Sequence, residues 1–124
     1  MVTHKLTKTI TESDNNLFCL LTLNHHPVHS NIEYARKAKH GRILVVGTYV
    51  LSLVVGISVE DISINAVANL EFSNVKHHAP VFIGDTLRAQ STFNDEGRIR
   101  NVFTEAYNQH DELVLSFYRK VLMK

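Results

Sequence analysis

A single cysteine, Cys19, is all the thiol that the 124 residues carry, so no internal disulfide can form and a reducing compartment suits the chain. Charge of one sign is equally scarce: 13 Lys and Arg against 12 Asp and Glu leave a formal net charge of +1, with both signs mixed along the sequence. That balance makes no field that would attract nucleic acid or an anionic membrane. Long apolar runs are missing too. The apolar segment Ile43 to Val55 covers 13 residues against the ~20 of a bilayer-crossing helix, and Gly47, Thr48 and Ser52 interrupt it. The first residues, Met1-Val2-Thr3-His4-Lys5, lack the apolar core of a signal peptide. Repeats, linkers and low-complexity stretches are absent as well. The expectation is one cytoplasmic domain over residues 1–124, with 44% hydrophobic and 20% charged residues as in ordinary globular chains.

What is present divides into a helical first half and an alternating second half. Thr11-Glu12-Ser13-Asp14 reads as a helix start, capped by Ser13 or Thr11 with acids in the first turn. Leu17, Phe18, Leu20 and Leu21 would form its apolar face, and Pro27 would end it and stiffen the loop from Asn24 to Asn31. Asn31 can cap a short helix over Ile32 to Lys39, closed by Gly41. The apolar run is β-branched at Val45, Val46, Thr48, Val50, Val54 and Val55, which favours a strand. Its length favours a helix, and Thr48, Ser52 and Gly56, four apart, would make one small-residue stripe on that helix. From Ser63 the period becomes two. Ile64, Ala66, Ala68, Leu70 and Phe72, then Leu87, Ala89 and Phe93, then Leu113, Leu115, Phe117, Val121 and Met123 alternate with polar residues. Those are half-buried antiparallel strands, with turns at Asn94 to Gly97 and Gln109 to Glu112. The fold class is α+β, an antiparallel sheet wrapped around the apolar helix.

Chemistry concentrates in Asn24-His25-His26-Pro27-Val28-His29. His25 and His29 have the four-residue spacing of a helical metal pair, but Pro27 between them breaks such a helix and no glutamate follows His25. No metal site is expected. A histidine such as His29 suits a general base, and Asn24 can donate and accept a hydrogen bond to hold a water against it. A surface loop of inert histidines has the same spacing. Gly47-Thr48 at the start of the apolar helix offers N–H groups for a developing oxyanion, and Ser52, one turn on, would reach the same cavity; plain helix packing explains them equally. Arg36, Lys37, Lys39 and Arg42 form a basic cluster suited to phosphates or a carboxylate, or to a solvated helix face.

These residues bear on a family. The run from Phe18 through Leu23-Asn24-His25-His26-Pro27-Val28-His29 to Ala35 resembles the signature of the MaoC-like hydratases: aromatic, glycine-aspartate, asparagine-proline-aliphatic-histidine, alanine. Ala79-Pro80-Val81-Phe82-Ile83-Gly84-Asp85-Thr86-Leu87 resembles their proline-valine-phenylalanine-glycine-aspartate segment, and Gly41 to Gly47 their approach to a central helix. Here Asn24 stands for the family aspartate, Leu23 for its glycine and His26 for its asparagine. This form looks most like the mesaconyl-CoA hydratase (β-methylmalyl-CoA dehydratase) branch. The resemblance implies a single hot-dog domain that hydrates an enoyl-CoA thioester reversibly. His29 and Asn24 would be catalytic, with Gly47, Thr48 and Ser52 lining the oxyanion pocket. Arg42, His26 and Lys37 would meet a substrate carboxylate or CoA. It also implies no cofactor beyond the CoA of the substrate, and a homodimer at least. Rival readings on the same architecture are an acyl-CoA thioesterase, using Glu33, Glu12 or Asp14, and a non-enzymatic acyl-CoA-binding subunit.

Overall fold

Thr11, not Ser13, opens the first helix. In the computed structural model, which describes residues 1–124, short strands β1 (Val2–Thr3) and β2 (Lys8–Thr9) precede helix α1 (Glu12–Thr22). The Thr11 hydroxyl accepts from Asp14 N–H and the Asp14 carboxylate accepts from Thr11 N–H, a reciprocal box that satisfies two free donors. The helix stops at Leu23, in the left-handed region at φ 61°, four residues before Pro27. The expected apolar face is corrected here. Leu17, Leu20 and Leu21 are exposed and only Phe18 of that face packs inward, its ring 5.3 Å from that of Tyr49, whereas Asn15 and Cys19, one turn apart, are the buried residues. The polar Asn15 faces inward because it bonds both neighbouring segments, leaving the leucines on an uncovered side.

A 3-10 turn, Pro27–His29, follows, then helix α2 (Ile32–Arg36), capped by Asn31 and ending three residues before the expected Lys39. The apolar run satisfies both of its conflicting signals by splitting. Leu44 bridges Phe82 and Val45 N–H donates to Val81, so the start is extended. Helix α3 (Gly47–Ser58) then takes over, and a π-helical turn, Val59–Ser63, ends it. Val50, Val54, Ile57 and Ser58 recur at helical spacing and are buried; Thr48, Ser52 and Gly56 make the expected stripe, on the exposed side.

The sheet comprises β1 and β2 with β3 (Ala66–His77), β4 (Thr86–Glu96), β5 (Ile99–Tyr107) and β6 (Leu113–Met123). All pairings are antiparallel in the order β1-β4-β5-β6-β3, with β2 also on β4. Strand β4 runs through the expected turn to Glu96, and Gly97, at φ 63°, makes the reversal instead. Alternation holds where a face meets α3. Leu87, Ala89, Ala106, Leu115 and Phe117 join Val50, Val54 and Ile57 in one core, the alanines letting helix and sheet approach. It fails on β3. That edge strand carries three register shifts and is exposed along nearly its whole length, Val67, Leu70, Phe72 and Val75 included. Phe72 still reaches the Phe117 ring, at 6.0 Å between centroids, and Ala66 packs against Ile62, Val102 and Val121, but the rest of the strand is uncovered and its expected half-burial is not met. The architecture is α+β, with the sheet curled about α3 in a hot-dog arrangement.

Candidate active site

His29 is positioned by three separate ties. Its Nδ1 lies 2.6 Å from the Leu44 carbonyl oxygen. A carbonyl can only accept, so Nδ1 carries a proton, and in the neutral ring Nε2 keeps its lone pair. The adjoining backbone is pinned as Leu44 N–H donates to Val28 at 3.1 Å. The third tie is Asn15, 1% exposed. Its Nδ2 donates to the His29 carbonyl at 2.9 Å, and its Oδ1 accepts from Val46 N–H at 3.1 Å. One amide thus joins the histidine loop to the residue that begins α3. Sequence reasoning missed Asn15. The available signal was a polar residue one turn before buried Cys19, on the side of α1 opposite the leucines.

At the other end of this bridge, Val46 provides no side-chain cap, and the Gly47 and Thr48 N–H groups have no acceptor within the chain. They sit at the positive end of a 12-residue helix. Gly47 lines a cavity of about 310 Å³ together with Leu44, the residue that holds the His29 ring. His29 is half-buried and does not itself line this cavity. The imidazole, with a free Nε2, can take a proton from water, and the unpartnered N–H groups, tied to it through Leu44 and Asn15, can meet negative charge on a carbonyl oxygen by hydrogen bonds.

Other predicted residues are placed differently. Asn24 is half-buried on the same loop, but its Oδ1 accepts from His26 N–H at 3.4 Å and no hydrogen bond joins it to His29. His26 caps the 3-10 turn, its Nδ1 accepting from Val28 N–H at 3.1 Å. Thr48 is exposed. Ser52 lines an apolar cavity of about 480 Å³ with Leu6, Phe18, Tyr49 and Leu53, and Gly47 is not part of it. The shared Gly47–Ser52 pocket is therefore not formed: five helical residues turn a side chain about 140° around the axis. Arg42 stacks its guanidinium 3.7 Å over the Phe82 ring and lines a third cavity with Glu12 and Arg36. Lys37 is exposed at the end of α2. Neither basic residue lines the Gly47 cavity.

The model of the MaoC like domain matches residues 1–114. The chain belongs to the MaoC-like domain family. This MaoC-like domain is 35% identical over 99% of its length to mesaconyl-CoA hydratase of Cereibacter sphaeroides, covering 38% of that protein. It is 32% identical, again over 99% of its length, to beta-methylmalyl-CoA dehydratase of Chloroflexus aurantiacus, covering 37% of it. The chain thus spans well under half the length of both. The monoamine oxidase regulatory protein of Archaeoglobus fulgidus superposes with a TM-score of 0.84 at 29% identity, covering 99% of this chain and 90% of that one. No helix of the MaoC-like domain is long and apolar enough to cross a membrane.

Proposed function

We propose that this MaoC-like domain hydrates an enoyl-CoA thioester reversibly, with a short branched dicarboxylic acyl group such as mesaconyl as substrate. The observation that carries this is the His29 ring, its Nδ1–H committed to Leu44 and its Nε2 free, on a loop bonded through Asn15 to the start of α3. The names of the two curated relatives support the acyl group.

In the hydration direction, His29 Nε2 takes a proton from a water held by Asn24. The oxygen attacks C3 of the conjugated double bond, and the electron pair moves to the thioester oxygen. Gly47 N–H meets that enolate oxygen, and the proton on His29 is delivered to C2, so atoms and charge balance. An aspartate at position 24 would stabilise the imidazolium; the neutral amide does not, so His29 carries the proton transfer. Dehydration is the reverse.

A thioesterase reading has less support. Asp14 is held down to about 2 by Thr11 N–H, then by Lys8 and the Thr11 hydroxyl, and caps a helix. Glu33 is exposed and paired with Arg36 at 2.8 Å, and Glu12 lines the Arg42 cavity. The incomplete burial of His29, the free β3 edge and the uncovered leucines of α1 support a second hot-dog fold completing the site, in a cytoplasmic homodimer at least. Sedimentation of the full chain as a monomer at micromolar concentration would remove that part.

The test of the reaction is loss of enoyl absorbance with crotonyl-CoA and mesaconyl-CoA for the parent, His29→Ala and Asn24→Asp. His29→Ala is expected to lose about 10²-fold or more in rate. Hydration by His29→Ala at the parental rate overturns the mechanism.

A further inference from the structure

The cavity beside Gly47 has an unusual wall for its size. Lys39, His40, His77 and His78 all line its roughly 310 Å³, among apolar residues including Leu44 and Val50, and no acidic side chain takes part. His78 is committed, its Nε2 2.7 Å from the Ser116 hydroxyl. No ion pair or side-chain hydrogen bond within the chain engages Lys39, His40 or His77. His77 lies hard against the helix start: a Cβ built on Gly47 would be 3.2 Å from its Cε1 and 3.3 Å from its Nε2. His77 comes from the end of β3, Lys39 and His40 from the segment after α2. The fold thus gathers three uncommitted donors from two distant stretches of chain around one apolar space.

That composition suits a small anion with an apolar body. Donors without acid partners favour negative charge, and the apolar wall favours carbon. The anion could be the far carboxylate of an acyl group or a phosphate of CoA. Position favours the first. Once Gly47 N–H holds the thioester oxygen, a four-carbon acyl group ends within the same cavity, whereas the phosphates lie at the far end of the pantetheine arm. We infer that His77, Lys39 and His40 form a carboxylate-binding subsite that selects dicarboxylic acyl thioesters, with His77 its innermost donor. For the acyl pose this rests on the hydratase reading above. Arg42, Lys37 and His26, the sequence candidates for that carboxylate, do not line the cavity.

Equilibrium binding of mesaconyl-CoA and crotonyl-CoA, measured by calorimetry on the full chain in a His29→Ala background, tests it. Both ligands carry the CoA phosphates and only the first carries a free carboxylate. The background is expected to prefer mesaconyl-CoA by about tenfold or more, the scale of one charge-assisted hydrogen bond. Adding His77→Ala or Lys39→Met should erase most of that preference. Both residues are exposed and lie on different elements, and a circular dichroism melt checks each variant's fold. Equal binding of the two thioesters, or a preference that survives both substitutions, overturns the subsite. So does an equal loss for both ligands, which would assign the donors to CoA phosphate. Turnover by the parent separates the two readings: preference without hydration sinks only the enzymatic one, and hydration without preference sinks only the subsite.

Discussion

Asn15→Leu should damage stability and activity together. The substitution keeps the side-chain size, so the cavity contribution is small, but it removes both ends of the bridge. The His29 carbonyl loses its donor at 2.9 Å and Val46 N–H loses its acceptor at 3.1 Å, at a side chain 1% exposed. Leaving a buried polar group unpaired costs about 1–3 kcal/mol, so two cost about 2–6 kcal/mol, a large part of the roughly 5–15 kcal/mol of a small domain. Urea denaturation reads this directly. Because the bridge also sets the distance between His29 and Gly47, a shift of about 1 Å would lower turnover about 10²-fold. Asn15→Asp separates bonding from size. One carboxylate oxygen still accepts from Val46 N–H, but the other faces the His29 carbonyl, and only the protonated acid can donate there. The native-state value of the introduced carboxyl is therefore raised. The variant should lie nearest the parent below pH ~4 and lose stability as pH rises through that raised value. An Asn15→Leu variant within about 0.5 kcal/mol of the parent, with parental hydration, would refute the bridge.

Two further outcomes follow from the ends of α1. Leu23 sits at φ 61° with 79% of its surface exposed. Relief of left-handed strain worth about 1–2 kcal/mol, less the entropy of glycine, makes Leu23→Gly neutral to about 1 kcal/mol more stable in urea; clear destabilisation would mean that the leucine packs against a partner. At the other end, Asp14→Asn should cost about 1 kcal/mol near pH 7, discounted for solvent contact. Asp14 is depressed to about 2, so its contribution is full above the ordinary carboxylate value near 4 and fades as pH falls toward 2. Urea curves for parent and variant should converge at low pH, and a constant gap would remove Asp14 as the cause.

Patterns carried on one element were legible from sequence. The Thr11 cap, the Asn31 cap, the helical stripe of Thr48, Ser52 and Gly56, and the alternation of Leu87 with Ala89 each need only local geometry. The α+β class followed from them, as did family membership, because the motif around Pro27 and His29 is contiguous. Tertiary structure decided the rest. Which side of α1 faces inward depended on two bonding partners far along the chain, so an asparagine rather than the leucines became buried. Whether Ser52 shares a cavity with Gly47 depended on the turn of one helix against two different neighbours. That His77 would lie against Gly47 depended on a strand thirty positions later ending at the helix start. A sequence records local preference residue by residue. The cavity at Gly47 is made where distant segments meet, and those meetings are fixed only when the sheet closes on its helix.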